Sequence, residues 1–233
     1  SPKGFLAAGV YSGIKKKKVE DLTLIYSEAP CRAAGAFTQN TLTAWPLDWS
    51  RSVINEPFHH AILASSGNAN CFNGPTGKQA VEVSVKTLSH LIGVPASSIL
   101  IAQTGVIGRP FPVETIRKGI GKVYQKLSPL GTGAARGILT TDTRVKEFAV
   151  TVNLKGKQVT LASISKCSGM IHPNLATMLV FVTTDAYIEK ALLEKLLKKA
   201  VAQTFNRMSV DNDLSTNDCI FVLANGLAGN KRL

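Results

Sequence analysis

Apolar residues alternate with polar ones, or run together, over seven short stretches of the chain: 22–26, 61–65, 99–102, 148–154, 159–164, 178–183 and 219–224. Runs of this length, rich in Val, Ile and Phe, predict β-strands. Elsewhere the period is helical. Val81, Val85, Leu88 and Ile92 recur at helical spacing with Gly93 as a stop, and Pro112 opens a second helix that carries Val113, Ile116, Ile120 and Val123 on one face. A third helix is predicted from near Asp185, whose carboxylate would cap it, with Ile188, Leu192, Leu196 and Ala200 lying beside Leu193, Leu197 and Val201. Between Phe148 and Ile164 the alternation is interrupted only by Lys155-Gly156, where glycine supplies the positive φ of a tight hairpin. That hairpin delivers the chain to Lys166. No repeat, low-complexity linker or domain boundary divides the sequence, so the mixed elements predict one layered α/β (α+β) unit.

Composition narrows the setting. The chain has 233 residues, 45% of them hydrophobic, enough to fill a core. It contains no apolar run of about 18 residues and no signal-peptide layout at its start, which predicts a soluble protein without a membrane partner. The sequence starts at Ser1 rather than Met, so the expected location is the cytoplasm, or the mitochondrial matrix or plastid if a targeting segment has been trimmed. The formal charge of +12 predicts attraction to anions such as acidic metabolites or phosphorylated cofactors. The one tight run, Lys15 to Lys18, has no interleaved aromatic residues for stacking bases, so it predicts a solvated loop and no nucleic-acid partner. Cys31, Cys71, Cys167 and Cys219 are scattered, with no paired spacing, which favours a reducing compartment and argues against metal. His59 and His60 would face opposite sides of a strand and not share an ion.

Several motifs suggest chemistry. Gly131 to Gly137 misses dinucleotide spacing and reads as a loop, and the run from Asp211 lacks the glycine and glutamate of a calcium loop. "SSGNANCFNGPTGKQA", Ser65 to Ala80, would present backbone N–H groups to an anion. "AQTGVIG" puts Thr104 and Gly105 at the end of an apolar run, where a hydroxyl and an unobstructed amide can converge. "SKCSGMIHPNLATMLVF" places Thr177 after small Ala176 and a Pro-Asn turn, at the mouth of a strand. If the bond between Ala176 and Thr177 is cut, the new α-amine, of reference pKa ~7.7–8.0, becomes a base beside its own hydroxyl.

The stretches "PKGFLAAGVYSGIK", "SSGNANCFNG", "QTGVIG", "TTDT", "SGMIHPNLATML" and "SVDNDLSTND…LANG", in this order from Pro2 to about Gly226, resemble the ornithine acetyltransferases, the bifunctional glutamate N-acetyltransferases of arginine biosynthesis. The resemblance implies an α/β sandwich with an N-terminal nucleophile, and self-cleavage at Ala176 and Thr177 into an α portion (1–176) and the first part of a β subunit (177–233). It also implies an acetyl group carried on Thr177 from N²-acetylornithine to glutamate. Thr104 and Gly105 would form the oxyanion hole, and Thr140 or Thr141, Lys166 and Thr177 would contact substrate. No cofactor is implied, although acetyl-CoA is allowed as co-substrate. The implied assembly is an α2β2 heterotetramer. Cys167, His172, Asn212 and Leu214 depart from the family's usual pattern. The family chain continues past the position of Leu233 with a glutamate and an asparagine that complete its pocket, so a remaining β-subunit segment is an expected partner. Two rivals use fewer features: a self-processing amidohydrolase or aminopeptidase would transfer to water, and an inactive anion-binding fragment would need only the charge.

Overall fold

The computed structural model describes residues 1–169, 178–211 and 213–233. Its strands are β1 (Phe5–Val10), β2 (Leu22–Phe37), β3 (His59–Asn68), β4 (Ile99–Val106), β5 (Lys146–Leu154), β6 (Lys157–Cys167), β7 (Met178–Thr184) and β8 (Cys219–Ala224). Its helices are α1 (Trp45–Val53), α2 (Pro75–Ile92), α3 (Val113–Gln125), α4 (Ala134–Gly137) and α5 (Lys190–Gln203). Strand order is β4-β3-β2-β8-β7-β6-β5, with β1 also on β2.

The long strand β2 divides this set in two. Its first half pairs with β1 and β3, the register shifts between Tyr26 and Cys31, and its second half pairs with β8. One sheet therefore holds β1 to β4, and the other holds β8, β7, β6, β5 and the far half of β2. Their inner faces share a core in which Ile25, Ile62, Leu100 and Ala102 meet Leu179, Phe181, Phe221 and Leu223. Outside the first sheet, Leu24, Leu63 and Ile101 pack on Val81, Val85 and Leu88 of α2 and on Ile116, Ile120 and Val123 of α3. Outside the second, Met178, Val180 and Ile220 pack on Leu193, Leu197 and Val201 of α5. The result is helix, sheet, sheet, helix, in four layers.

Each of the seven predicted strands is present, and the hairpin turns on Lys155 (φ 51°) and Gly156 (φ 85°). Gly93 ends α2 in the left-handed conformation, as its position predicts. Other expectations are corrected. The third helix starts at Lys190, and Asp185 does not cap it; the carboxylate instead accepts the N–H groups of Lys3 (3.0 Å) and Thr160 (2.8 Å), tying the N-terminus to β6. The buried stripe of α5 is Leu193, Leu197 and Val201, whereas Leu196 and Ala200 are exposed. The segment 131–137 is not all loop, because α4 forms one turn there and packs on β1 and β2. His59 and His60 do lie on opposite faces of β3: His59 is buried on the Val53 carbonyl, and His60 faces that of Ser27.

Candidate active site

The first wall of the site is the end of two parallel strands. Gly67 of β3 stands opposite Gly105 of β4, with φ of 111° and 133°. A Cβ on Gly105 would lie 2.4 Å from the Gly67 carbonyl carbon and 2.6 Å from the Asn68 nitrogen, so this approach requires glycine. Thr104, just before it, is buried and lines the cavity below.

The asparagine-rich stretch supports this wall, and its Gly67, Asn68 and Ala69 line the cavity. Two of its N–H groups are used within the protein: Ala69 donates to Val106 O (3.0 Å) and Asn70 to Asn68 Oδ1 (2.8 Å). The Asn70 amide donates to the Gly77 carbonyl (3.0 Å) and to Gln103 Oε1 (2.9 Å). From the other side, buried Asn217 donates to Ala69 O (2.7 Å) and Gln103 O (2.8 Å). Thr104 is thus fixed through its neighbour Gln103 by both strand ends.

The second wall is the end of β6 and the loop 139–145. Lys166 is buried, with Nζ 3.4 Å from Thr140 Oγ1. Burial drives its ammonium below the ordinary lysine value, opposed by the charges of Asp218 and Asp142. Burial also pushes the Asp142 carboxyl up, but Lys146 (2.6 Å), the Cys167 N–H (3.0 Å) and the Lys166 charge together hold it below its usual value. Thr140, Thr141, Lys166, Thr104 and Gly105 line one cavity of about 1090 Å³.

The third wall is the entry to β7 and β8. The Met178 N–H donates to Asp218 Oδ1 at 2.9 Å, and Asp218 is buried. Burial pushes this carboxyl up to about 8, against the Ser215 hydroxyl, the Met178 amide and the Lys166 charge. Ala176 and Thr177, with His172, Pro173 and Asn174, lie outside the described residues, as does Asn212. Thr177 is the residue bonded to Met178, so the chain enters β7 from it.

The lysine run is the loop predicted, with Lys16, Lys17 and Lys18 exposed, but Lys15 at its start is tied down. The Asp21 carboxylate gathers the N–H groups of Ser12 (2.6 Å), Gly13 (3.2 Å) and Lys15 (2.9 Å). The loop so folded sends Lys15 Nζ to the carbonyls of Glu20 (3.0 Å) and Leu139 (2.8 Å), and Lys15, Lys16 and Lys17 line the cavity. Burial lowers the Lys15 ammonium, with Asp21 and Glu20 opposing.

Sequence reasoning thus found Thr104, Gly105, Thr140, Thr141 and Lys166, which the structure brings to one cavity. It missed Asn70, Gln103, Asp142, Asn217 and Asp218. One available signal was Asn217-Asp218 abutting the wholly apolar run of β8, since polar side chains next to a buried strand need partners.

A hydroxyl and a glycine amide at parallel strand ends, facing a buried cation and two further hydroxyls, form a site able to stabilise an oxyanion while holding a carboxylate. Set between two sheets in four layers, it defines a class: the architecture is shared with the L-aminopeptidase D-Ala-esterase/amidase of Ochrobactrum anthropi, a variant of the Ntn hydrolase fold. That likeness has a TM-score of 0.57 at 11% identity, covers 96% of this chain and 72% of that one, and concerns the fold alone. Within the class, the chain belongs to the ArgJ family, which matches residues 6–232. The arginine biosynthesis bifunctional protein ArgJ of Caldanaerobacter subterraneus is 44% identical over 233 residues, covering 100% of this chain and 58% of the relative. The chain therefore spans little more than half the length of that relative. Among solved structures, ArgJ of Bacillus halodurans gives a TM-score of 0.69 at 34% identity, covering 74% of this chain and 91% of that one. Ornithine acetyltransferase of Mycobacterium tuberculosis, solved with ornithine, gives 0.67 at 29% identity, covering 76% and 94%. No described helix is long and apolar enough to cross a membrane.

Proposed function

We propose that the chain forms part of an acetyltransferase that moves an acetyl group from N²-acetylornithine to glutamate through an acetyl-Thr177 intermediate. The observation that carries this reading is the convergence of Thr104, Gly105, Thr140, Thr141 and Lys166 on one cavity, in a chain of the ArgJ family. The ornithine bound in the Mycobacterium tuberculosis relative supports an amino-acid substrate.

In this mechanism the bond between Ala176 and Thr177 is first cut, dividing the chain into 1–176 and 177–233. The free Thr177 amine then takes the proton of its own hydroxyl as Oγ attacks the acetyl carbonyl. Thr104 Oγ and the Gly105 N–H stabilise the oxyanion, and ornithine leaves with the proton. Lys166 attracts the substrate carboxylate, with Thr140 or Thr141 beside it. Glutamate enters, its α-amine attacks the acetyl-threonine, and N-acetylglutamate departs. Water must stay out at the acetyl-enzyme stage, because hydrolysis competes with transfer. Acetyl-CoA is proposed as a second donor, with Lys16, Lys17, Arg109 and Arg144 at the cavity supplying charge for its phosphates. The remaining β-subunit segment and an α2β2 assembly complete the proposal.

The test is acetyl trapping. Full chain incubated with N²-acetylornithine should carry one acetyl group on the peptide that begins at Thr177, and glutamate should discharge it to N-acetylglutamate. Release of acetate at a rate indifferent to glutamate would overturn the transferase reading in favour of hydrolysis.

A further inference from the structure

Three carbonyls just ahead of the loop 139–145 are held in a way that the transfer described above does not use. Helix α4 is a single turn, so most of its carbonyls must find partners elsewhere. Thr23 Oγ1 of β2 donates to Ala134 O (2.8 Å), Ser66 Oγ of β3 to Gly137 O (2.7 Å), and Lys15 Nζ to Leu139 O (2.8 Å). Between the last two, Ile138 is fully buried in the core shared by the sheets. The approach is close: a Cβ on Gly137 would lie 2.2 Å from Thr23 Oγ1. A lone buried hydroxyl is satisfied by any carbonyl within reach, but donors from three different elements on the segment 134–139 fix where that segment delivers the chain.

Among these donors, Ser66 stands next to the oxyanion wall. It pairs with Thr104 in the parallel register of β3 and β4, about 4.8 Å away across the sheet. Its own N–H donates to Asp21 O at 2.8 Å, and the Asp21 carboxylate in turn holds the Lys15 N–H. Three residues beyond Gly137 comes Thr140, whose Oγ1 lies 3.4 Å from Lys166 Nζ. The loop is then fastened to the second sheet, where Asp142 Oδ1 accepts the Cys167 N–H at 3.0 Å. A short path therefore runs from Thr104 through the Ser66 hydroxyl to Thr140 and Lys166, from one sheet to the other. Ser66 is fully buried, so it acts on a substrate only through the groups it holds.

We infer that Ser66 is a positioning residue that sets the spacing between the oxyanion hole and the lysine that holds the substrate carboxylate. The inference rests on the reading of Thr104 and Lys166 in the proposed transfer. In that reading N²-acetylornithine meets both at once, its acetyl oxygen at Thr104 and Gly105 and its carboxylate at Lys166. Only the amide nitrogen and the α-carbon separate the two groups in the donor, so the donor has little slack and the protein must supply the matching distance. A loop released from Ser66 would still attract the carboxylate, but it would draw the acetyl carbonyl away from the oxyanion donors. Misplacement by ~1 Å costs on the order of 10²-fold in rate. Loss of the Ser66 hydroxyl should therefore fall on donors that use both contacts and spare a donor that uses the oxyanion hole alone.

The experiment compares N²-acetylornithine with its primary amide, which keeps the acetyl group and lacks the carboxylate. Enzyme acetylation by each donor is timed for full chain as wild type, Ser66→Ala and Lys166→Met. The wild type is expected to prefer the acid, and Lys166→Met to lose that preference. Ser66→Ala is expected to be acetylated ~10–10²-fold more slowly by the acid, with the amide rate changed by less than about threefold. A merely structural Ser66 would slow both donors alike; that result, or two unchanged rates, overturns the inference and leaves the site standing. A preference that survives in Lys166→Met, or a wild type acetylated by neither donor, would overturn the reading of the site, and this inference with it. If Ser66→Ala does not fold, Thr23→Val decides, since it releases the same segment at Ala134 O with no change of charge. A preference for the acid as large as that of the wild type would then refute a loop held from the first sheet.

Discussion

Gly105 and Thr104 make the oxyanion-hole assignment testable in two different ways. Thr104→Val keeps shape and removes a hydroxyl, so turnover should drop by about 10²–10³ with little change in melting temperature. Gly105→Ala should do more: its φ of 133° and the 2.4 Å approach to Gly67 carbon leave no room for a Cβ, so it should lower the melting temperature as well. Normal rates in both variants would remove the oxyanion role. Asp218 gives a pH signature in stability. Its folded value, raised from 3.8 to about 8, means that the folded chain holds a proton that the unfolded chain releases between those values. Its contribution therefore makes stability fall as pH rises from about 4 to about 8, and stay level beyond. Asp218→Asn should flatten that slope, by an amount on the order of a few kcal/mol, in urea midpoints taken across the range. Identical slopes in the two proteins would show that the carboxyl titrates normally.

Among elements, legibility followed the size of the side chains. Strands built from Val, Ile, Leu and Phe were readable because their period is unmistakable. The first strand, FLAAGV, and the far half of β2, CRAAGAF, were not, because small residues carry little hydrophobic signal. They are small for a tertiary reason: a Cβ on Gly9 would lie 2.0 Å from the Gly133 carbonyl oxygen, and one on Gly35 would meet Phe37 at 2.9 Å. Helix α1 was hidden by Asp48, Ser50, Arg51 and Ser52, although Ser50 is buried and exchanges hydrogen bonds with Ile101 of β4. Asp185 sat where a cap belongs, but it was claimed by Lys3 and Thr160, partners that no local pattern reveals. The site divides along the same line. Thr104, Gly105 and Lys166 stand next to strand ends or motifs, whereas Asn217 reaches across more than a hundred residues to Gln103. Asn217→Ala would leave the Gln103 and Ala69 carbonyls without this donor and should cost ~1–3 kcal/mol, with a loss of turnover that follows the displacement of Thr104. An unchanged melting temperature would mean that the clamp contributes nothing.

At the scale of the whole molecule, the four layers bring distant stretches of one chain to a single point. The inner faces of two sheets supply the ends of β3 and β4 on one side and the entries to β7 and β8 on the other, and the loops at 11–20 and 139–145 close the rim. The net charge of +12 finds a local use there, since three lysines of the early run and Lys166 line the same cavity. Every feature of the proposed chemistry depends on Thr177 becoming an N-terminal residue. Intact mass of the purified chain, beside the Thr177→Ala variant, tests that most directly. Two pieces are expected from the wild type, one ending at Ala176 and one beginning at Thr177, and a single uncut chain from the variant. A wild type that stays whole, or a variant that is cut at the same bond, would contradict it.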